Sequence, residues 1–181
     1  PDGERTMNTY LGACVNLDER DVNADIVKAS AVTYMEGYLY DKPEAKGAFR
    51  EAARLAHAGG RMASITLSDS FCVERHRDAF LDLIRNSIDI VFANETEIKA
   101  LYKTQSFTGA VEAARMDCPL VVVTRSEKGS VIVKGQDTIE VPAHPVKSVV
   151  DVTGAGDLYA AGLLFGFTAG KPLAHCARLG H

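Results

Sequence analysis

No apolar run in these 181 residues approaches the roughly 18 needed to cross a bilayer, so the sequence holds no membrane-spanning helix. An excess of one charge is also missing. Twenty Lys and Arg stand against 24 Asp and Glu, for a net charge of −4, which gives no attraction to nucleic acid or to an anionic membrane. Cysteine is sparse, and the four residues (Cys14, Cys72, Cys118 and Cys176) form no CxxC pair. They read as reduced core or near-surface thiols in a cytoplasmic protein. The five histidines show no HExxH or related metal spacing. Neither GxxxxGK[ST] nor GxGxxG occurs, so neither a Walker-type NTPase nor a dinucleotide site is supported, and no Ser/His/Asp set stands out.

What remains is ordinary for a globular domain: 46% hydrophobic and 24% charged residues, in a chain long enough for one real core. Both ends look cut. Pro1-Asp2-Gly3 reads as a turn, and the helical pattern over Leu173–His181 stops without a cap, so a piece of a longer protein is expected.

Along the chain, alternation over Glu4–Leu11 predicts a strand. Asp18–Ser30 predicts a short helix, and Ala31–Met35 a strand ending at Glu36-Gly37-Tyr38. Pro43 and Gly59-Gly60 bound a helix over Lys42–Ala58. A strand over Arg61–Leu67, a helix over Val73–Asn86 behind Asp69-Ser70, and a strand over Ile88–Ala93 follow. Helices are expected from Asn94 to about Tyr102 and over Phe107–Met116. Pro119–Thr124, PLVVVT, lacks alternation, as a strand buried on both faces does. Ser130–Lys134 and Thr138–Val141 complete an antiparallel meander. Strand–helix alternation implies a three-layer α/β/α sandwich with a mainly parallel sheet. Ligands of such sheets sit beyond the C-terminal strand ends. Polar clusters recur there: Glu36-Gly37-Tyr38, Asp69-Ser70, Asn94–Glu97, Thr124–Ser126 and Thr153–Asp157.

The organising stretch is Val149–Gly170, VVDVTGAGDLYAAGLLFGFTAG. The β-branched run Val146–Val152 predicts a strand entering a Gly154-Ala155-Gly156 turn, followed by Asp157 and by a helix over Leu158–Phe167 buried on most of its surface. A glycine turn at a helix start aims orphan N–H groups at one spot, aided by the macrodipole, and that spot suits phosphate. As a helix-start residue alone, Asp157 is explained by about 0.3–1 kcal/mol of dipole stabilisation. That account leaves out the two glycines, each costing roughly 0.5–1 kcal/mol of backbone entropy. Beside an anion site, a carboxylate fits phosphoryl transfer, accepting the proton of a substrate hydroxyl.

Asn94-x-x-Glu97 puts an amide and a carboxylate one turn apart. Two readings stand side by side: a capping box, and an oxygen pair organising hydrated Mg²⁺. Thr124–Gly129 is either a phosphate-contacting loop or a solvated hairpin loop. Glu36 and Tyr38 either touch substrate or rim the cleft. Arg5 is a solvated strand residue unless its hairpin covers the cleft.

Asp151-Val152-Thr153-Gly154-Ala155-Gly156-Asp157 resembles the DTxGAGD signature of the ribokinase-like (PfkB) carbohydrate and nucleoside kinases, with Val152 where Thr is frequent. Asn94-x-x-Glu97 is similar to that family's NxxE motif, and Thr124–Gly129 to its TxGxxG loop, with Ser126 in place of glycine. The resemblance covers essentially the whole chain and implies an ATP- and Mg²⁺-dependent kinase. Asp157 is then the catalytic base, with the amides of Gly154, Ala155 and Gly156 as anion hole. Asn94 and Glu97 organise Mg²⁺, and Asn94, Thr124, Ser126, Gly129 and Thr153 lie along the nucleotide. Arg5, Glu36 and Asp157 face the acceptor. Residues 1–12 belong to a small β-sheet lid, of a kind that often completes a homodimer contact, and 13–181 to the kinase core. The segments GERTMNTYLGA and MEGYLYD look like bacterial adenosine-kinase-like members, so a nucleoside, adenosine first, is the expected acceptor of a phosphoryl group at its 5′-hydroxymethyl. A sugar (ribose, fructose or a keto-deoxy sugar acid) and a non-catalytic nucleotide-binding fragment are the alternatives.

Overall fold

The computed structural model describes residues 8–181. Its centre is a six-stranded sheet in the order β1 to β6: Val32–Glu36, Met62–Thr66, Ile90–Asn94, Leu120–Thr124, Ser130–Lys134 and Asp137–Val141. The first four strands pair in parallel and the last two antiparallel, which is the expected mainly parallel sheet with its meander. Helix α1 (Ala24–Ala29) precedes β1, and α2 (Pro43–Ala58), α3 (Ser70–Ser87), α4 (Glu95–Leu101) and α5 (Phe107–Asp117) connect the parallel strands. Helices α6 (Ala155–Thr168) and α7 (Leu173–Gly180) follow the meander.

Strand periodicity sorts the core into two layers. Ala63, Ile65, Val91, Ala93, Val121 and Val123 pack with α2 to α5, through Ala53, Phe80, Leu83, Ile98 and Ala110. The alternate residues Ile90, Phe92, Leu120 and Val122 turn to the other face and meet Tyr159, Leu163, Cys176 and Ala177 of α6 and α7. Each large side chain so buried contributes about 1.5–3 kcal/mol. All four cysteines are free. Among the described residues no helix is long and apolar enough to cross a membrane.

Register places the site. Glu36 lies beside Thr66 and Asn94 beside Thr124, while Thr66 pairs with Phe92, so β3 and β4 end together two residues beyond β1 and β2. Several expectations need correction. Val146–Val152 forms no strand, and Val146, Val149 and Val150 are exposed. The edge strand β6 pairs only with β5, and a β-branched run without a ladder partner has nothing to make it a strand. Helix α6 is buried on one face only, with Leu158 72% and Phe165 70% exposed, because only the sheet and α7 cover it. The helix expected over Asp18–Ser30 is split into a 3-10 turn, Glu19–Asp21, and α1. Most of Glu4–Leu11, and Arg5 with it, lies outside the described residues; residues 8–11 carry no strand.

Candidate active site

A cleft of about 1270 Å³ opens beyond the C-terminal ends of β1 to β4. Glu36, Tyr38, Thr66, Ser68, Asn94, Glu97, Thr124, Ser126, Gly129 and the segment Gly154–Asp157 all line it. Four of the five polar clusters marked in the sequence are therefore brought together. The exception is Asp69-Ser70: Asp69 caps α3 by accepting from the Cys72 amide at 2.6 Å, and neither residue lines the cleft.

Gly154 takes φ +73° and forms the N-cap of α6, a conformation that favours glycine. The Ala155 amide donates to the Val152 carbonyl at 3.1 Å, and the Leu158 amide donates to the Gly154 carbonyl at 2.9 Å. Of the expected anion-hole donors, Ala155 is thus committed to its own turn. The amides of Gly156 and Asp157 have no partner among the described residues and are the free donors of the helix N-terminus. Asp157 is exposed in the cleft beside them. Thr153 is exposed, its amide donates to Asp151 Oδ1 at 2.8 Å, and it does not line the cleft.

Asn94 and Glu97 close a capping box at the start of α4. The Glu97 amide donates to Asn94 Oδ1 at 2.9 Å, and Glu97 Oε2 accepts from the Asn94 amide at 2.9 Å. The capping reading of this pair is therefore realised, and both residues also face the cleft. Burial lifts the Glu97 carboxyl to about 7, with the negative charges of Asp69 and Glu36 adding to it and the Asn94 backbone bond opposing. No cluster of three or more His, Cys, Asp or Glu able to hold a metal occurs among the described residues. One amide and one carboxylate suit a Mg²⁺ ion that keeps most of its waters, not a protein-built cage.

The loop after β4 turns through Ser126–Lys128, where Ser126 takes φ +51°. That left-handed value gives a physical reason for the glycine usual at this position, and Ser126 occupies it under some strain. Gly129 is more restrictive: at φ +89°, a Cβ there would lie 2.0 Å from the Val141 carbonyl oxygen. Arg125 and Glu127 do not share a role. Arg125 bonds Glu95 at 2.9 Å and lies over the Phe107 ring, away from the cleft, whereas Glu127 is on its rim.

At the other end of the cleft, Glu36 accepts from the Ser68 hydroxyl. Burial raises its carboxyl above the usual range, the charge of Asp157 adds to that, and the Ser68 bond works against it. Tyr38, whose phenol is pushed up to about 12 by partial burial and by Asp69, stays a neutral donor. Sequence reasoning missed Thr66, Ser68, His144 and His181, which also line the cleft. For Thr66 and Ser68 the available signal was position, directly at the end of a strand.

A family model for pfkB family carbohydrate kinases matches residues 1–181. The chain belongs to the pfkB family. Two solved structures are similar to this pfkB chain over nearly all its length. Adenosine kinase from Sinorhizobium meliloti is 58% identical with a TM-score of 0.96, covering 99% of this chain and 55% of that one. A probable sugar kinase from Rhizobium etli is 54% identical with a TM-score of 0.96 over the same shares. Cytidine kinase from Thermococcus kodakarensis is 33% identical over 126 residues, 67% of this chain and 45% of that protein. The pfkB chain thus spans about half the length of these relatives.

Proposed function

We propose that the protein carrying this chain transfers the γ-phosphoryl group of ATP to the 5′-hydroxymethyl group of a nucleoside, adenosine in preference. One observation carries the reading: Asp157 shares a single cleft with two unpartnered helix-start amides, with the Asn94–Glu97 pair and with the Thr124–Gly129 loop. Asp157 accepts the proton of the attacking hydroxyl as it bonds to phosphorus. A carboxylate is a weak base, which suffices because the loose transition state needs little early deprotonation. The free amides of Gly156 and Asp157, with the positive end of α6, receive the charge of the transferring group. Thr124, Ser126 and Gly129 run along the nucleotide, whereas Thr153 stands outside the cleft. Asn94 and Glu97 hold the waters of Mg²⁺, which when bound neutralises phosphate charge. Glu36 accepts hydrogen bonds from acceptor hydroxyls.

A sugar acceptor is the second reading, favoured by the Rhizobium etli relative described as a probable sugar kinase. The deciding experiment gives the natural full-length protein ATP and a panel of nucleosides and sugars, with Asp157→Asn alongside. Adenosine turnover, and a kcat about 10²–10⁴-fold lower in Asp157→Asn, are expected. Full turnover by Asp157→Asn overturns the mechanism, and phosphorylation of sugars alone overturns the adenosine preference.

A further inference from the structure

Ser68 has no part in the reaction described above, yet the ends of β1 and β2 are built around it. Its backbone takes φ +72°, unusual for a residue with a side chain. Three contacts converge on its hydroxyl: it donates to Glu36 Oε1, it accepts from the Tyr38 amide at 3.1 Å, and the Thr66 carbonyl lies at a longer 3.4 Å. Gly37, between those two partners, leaves room for this. A Cβ on Gly37 would lie 2.6 Å from the Thr66 carbonyl oxygen and 2.9 Å from Ser68 Oγ. The strained backbone of Ser68 and the side-chain-free Gly37 together bring one hydroxyl against one carboxylate oxygen at the cleft wall. Among the described residues the other oxygen, Oε2, accepts no hydrogen bond, and Glu36 and Ser68 both line the cleft that Asp157 occupies.

We infer that Ser68 is a positioning residue for the acceptor: it fixes the rotamer of Glu36, so that the free carboxylate oxygen meets an acceptor hydroxyl while the acceptor's hydroxymethyl group faces Asp157. The inference rests on the proposed role of Glu36 in acceptor binding. It assigns Ser68 to acceptor affinity and not to the nucleotide, whose loop lies beyond β4. Strain held at a binding site by its surroundings is a familiar way of pre-organising a contact.

The test uses the full-length protein and four forms: wild type, Ser68→Gly, Glu36→Gln and the double variant. Glycine removes the hydroxyl and suits the left-handed backbone, so the fold is spared. Adenosine is the probe and ribose the second arm, with KM from turnover and Kd from calorimetry. Ser68→Gly is expected to raise KM and Kd for the acceptor about tenfold, the effect of losing a hydrogen bond to a charged group. KM for ATP is expected to stay within about twofold of wild type. In the Glu36→Gln background the same change is expected to add less than about twofold, because the carboxylate it positions is gone. Unchanged acceptor affinity, an equal rise in KM for ATP, or an undiminished effect in the Glu36→Gln background overturns the inference. So does failure of the wild type to bind either probe. If wild type binds adenosine without turning it over, the kinase reading fails while the calorimetric arm still decides the role of Ser68.

Discussion

Both carboxylate oxygens of Glu97 are held by the one residue Asn94: Oε2 by its backbone amide at 2.9 Å and Oε1 by its side-chain amide at 2.6 Å. Glu97 is 5% exposed as a residue, yet it lies on the wall of the cleft. Asn94 therefore aims Glu97 while capping α4, and one structural device serves both helix and site. A carboxylate so fixed presents its remaining lone pairs in a set direction, as a group that orders metal-bound water needs to do.

Because burial raises the Glu97 carboxyl from 4.5 to about 7, it makes stability depend on pH. The folded form holds its proton more tightly than the unfolded chain. The favourable contribution is complete below pH 4.5, and is lost as pH rises towards 7. A shift of this size corresponds to on the order of 3 kcal/mol. Glu97→Gln cannot titrate. Thermal denaturation of both forms at half-unit steps from pH 4.5 to 8 should show the wild type losing ground to the variant up to about pH 7, then running parallel to it. Parallel curves throughout disprove the assignment.

The same residue predicts a metal effect. If Glu97 orders the water shell of Mg²⁺, then Glu97→Gln should raise the Mg²⁺ concentration for half-maximal turnover by about 10–100-fold at pH 8, where the wild-type carboxylate is ionised. A Mg²⁺ titration at saturating ATP and acceptor reads this directly. An unchanged midpoint with lowered kcat shows that Glu97 acts through the fold of the cleft.

Much of the architecture was legible, for reasons that differ by element. β4 announces itself as Leu120–Thr124 because Val121, Val122 and Val123 are buried on both faces, and nothing but a central strand explains that run. Asn94 and Glu97 were legible because capping is local. Val146–Val152 misled because β-branched residues describe a preference for pleated surroundings, and here no strand pairs with them. Helix α6 misled because apolar composition does not say what covers a face. Ser68 was invisible for another reason: its role comes from a backbone angle and a bond 32 residues away, and neither leaves a pattern in sequence.

Gly129 tests the loop after β4. Its φ of +89° and the 2.0 Å approach of its would-be Cβ to the Val141 carbonyl leave no room for a side chain. The obstruction is backbone of the neighbouring edge strand, so relief means shifting β6 or the loop. Gly129→Ala should destabilise by about 2–4 kcal/mol, combining left-handed strain with overpacking. It should also weaken ATP binding, since Thr124 and Ser126 move with the turn. Ser126→Gly relieves φ +51° at some cost in unfolded-state entropy, and should stay within about 1 kcal/mol of wild type. Urea denaturation of the pair, with ATP titration, separates the two effects. Equal stability of Gly129→Ala and wild type shows that the loop yields where the packing says it does not.

Gly156 is the opposite case. Its φ is not left-handed, and a Cβ built on it meets nothing within 4 Å. Among the described residues nothing in the packing requires a glycine at this second position of α6. Alanine there should improve the helix, raising stability by about 0.5–1 kcal/mol. On the proposed mechanism the reason for the glycine lies in the cleft, where a methyl beside the free amides of Gly156 and Asp157 would stand in the approach of the phosphoryl group. Gly156→Ala should therefore separate two quantities that usually fall together: a higher melting temperature, with kcat/KM for ATP reduced by about 10²-fold, as for the loss of one anion-hole donor. Melting curves and ATP-dependent turnover of the same preparation decide it. Undiminished turnover in a stabilised Gly156→Ala protein means that the phosphoryl group does not pass over this turn.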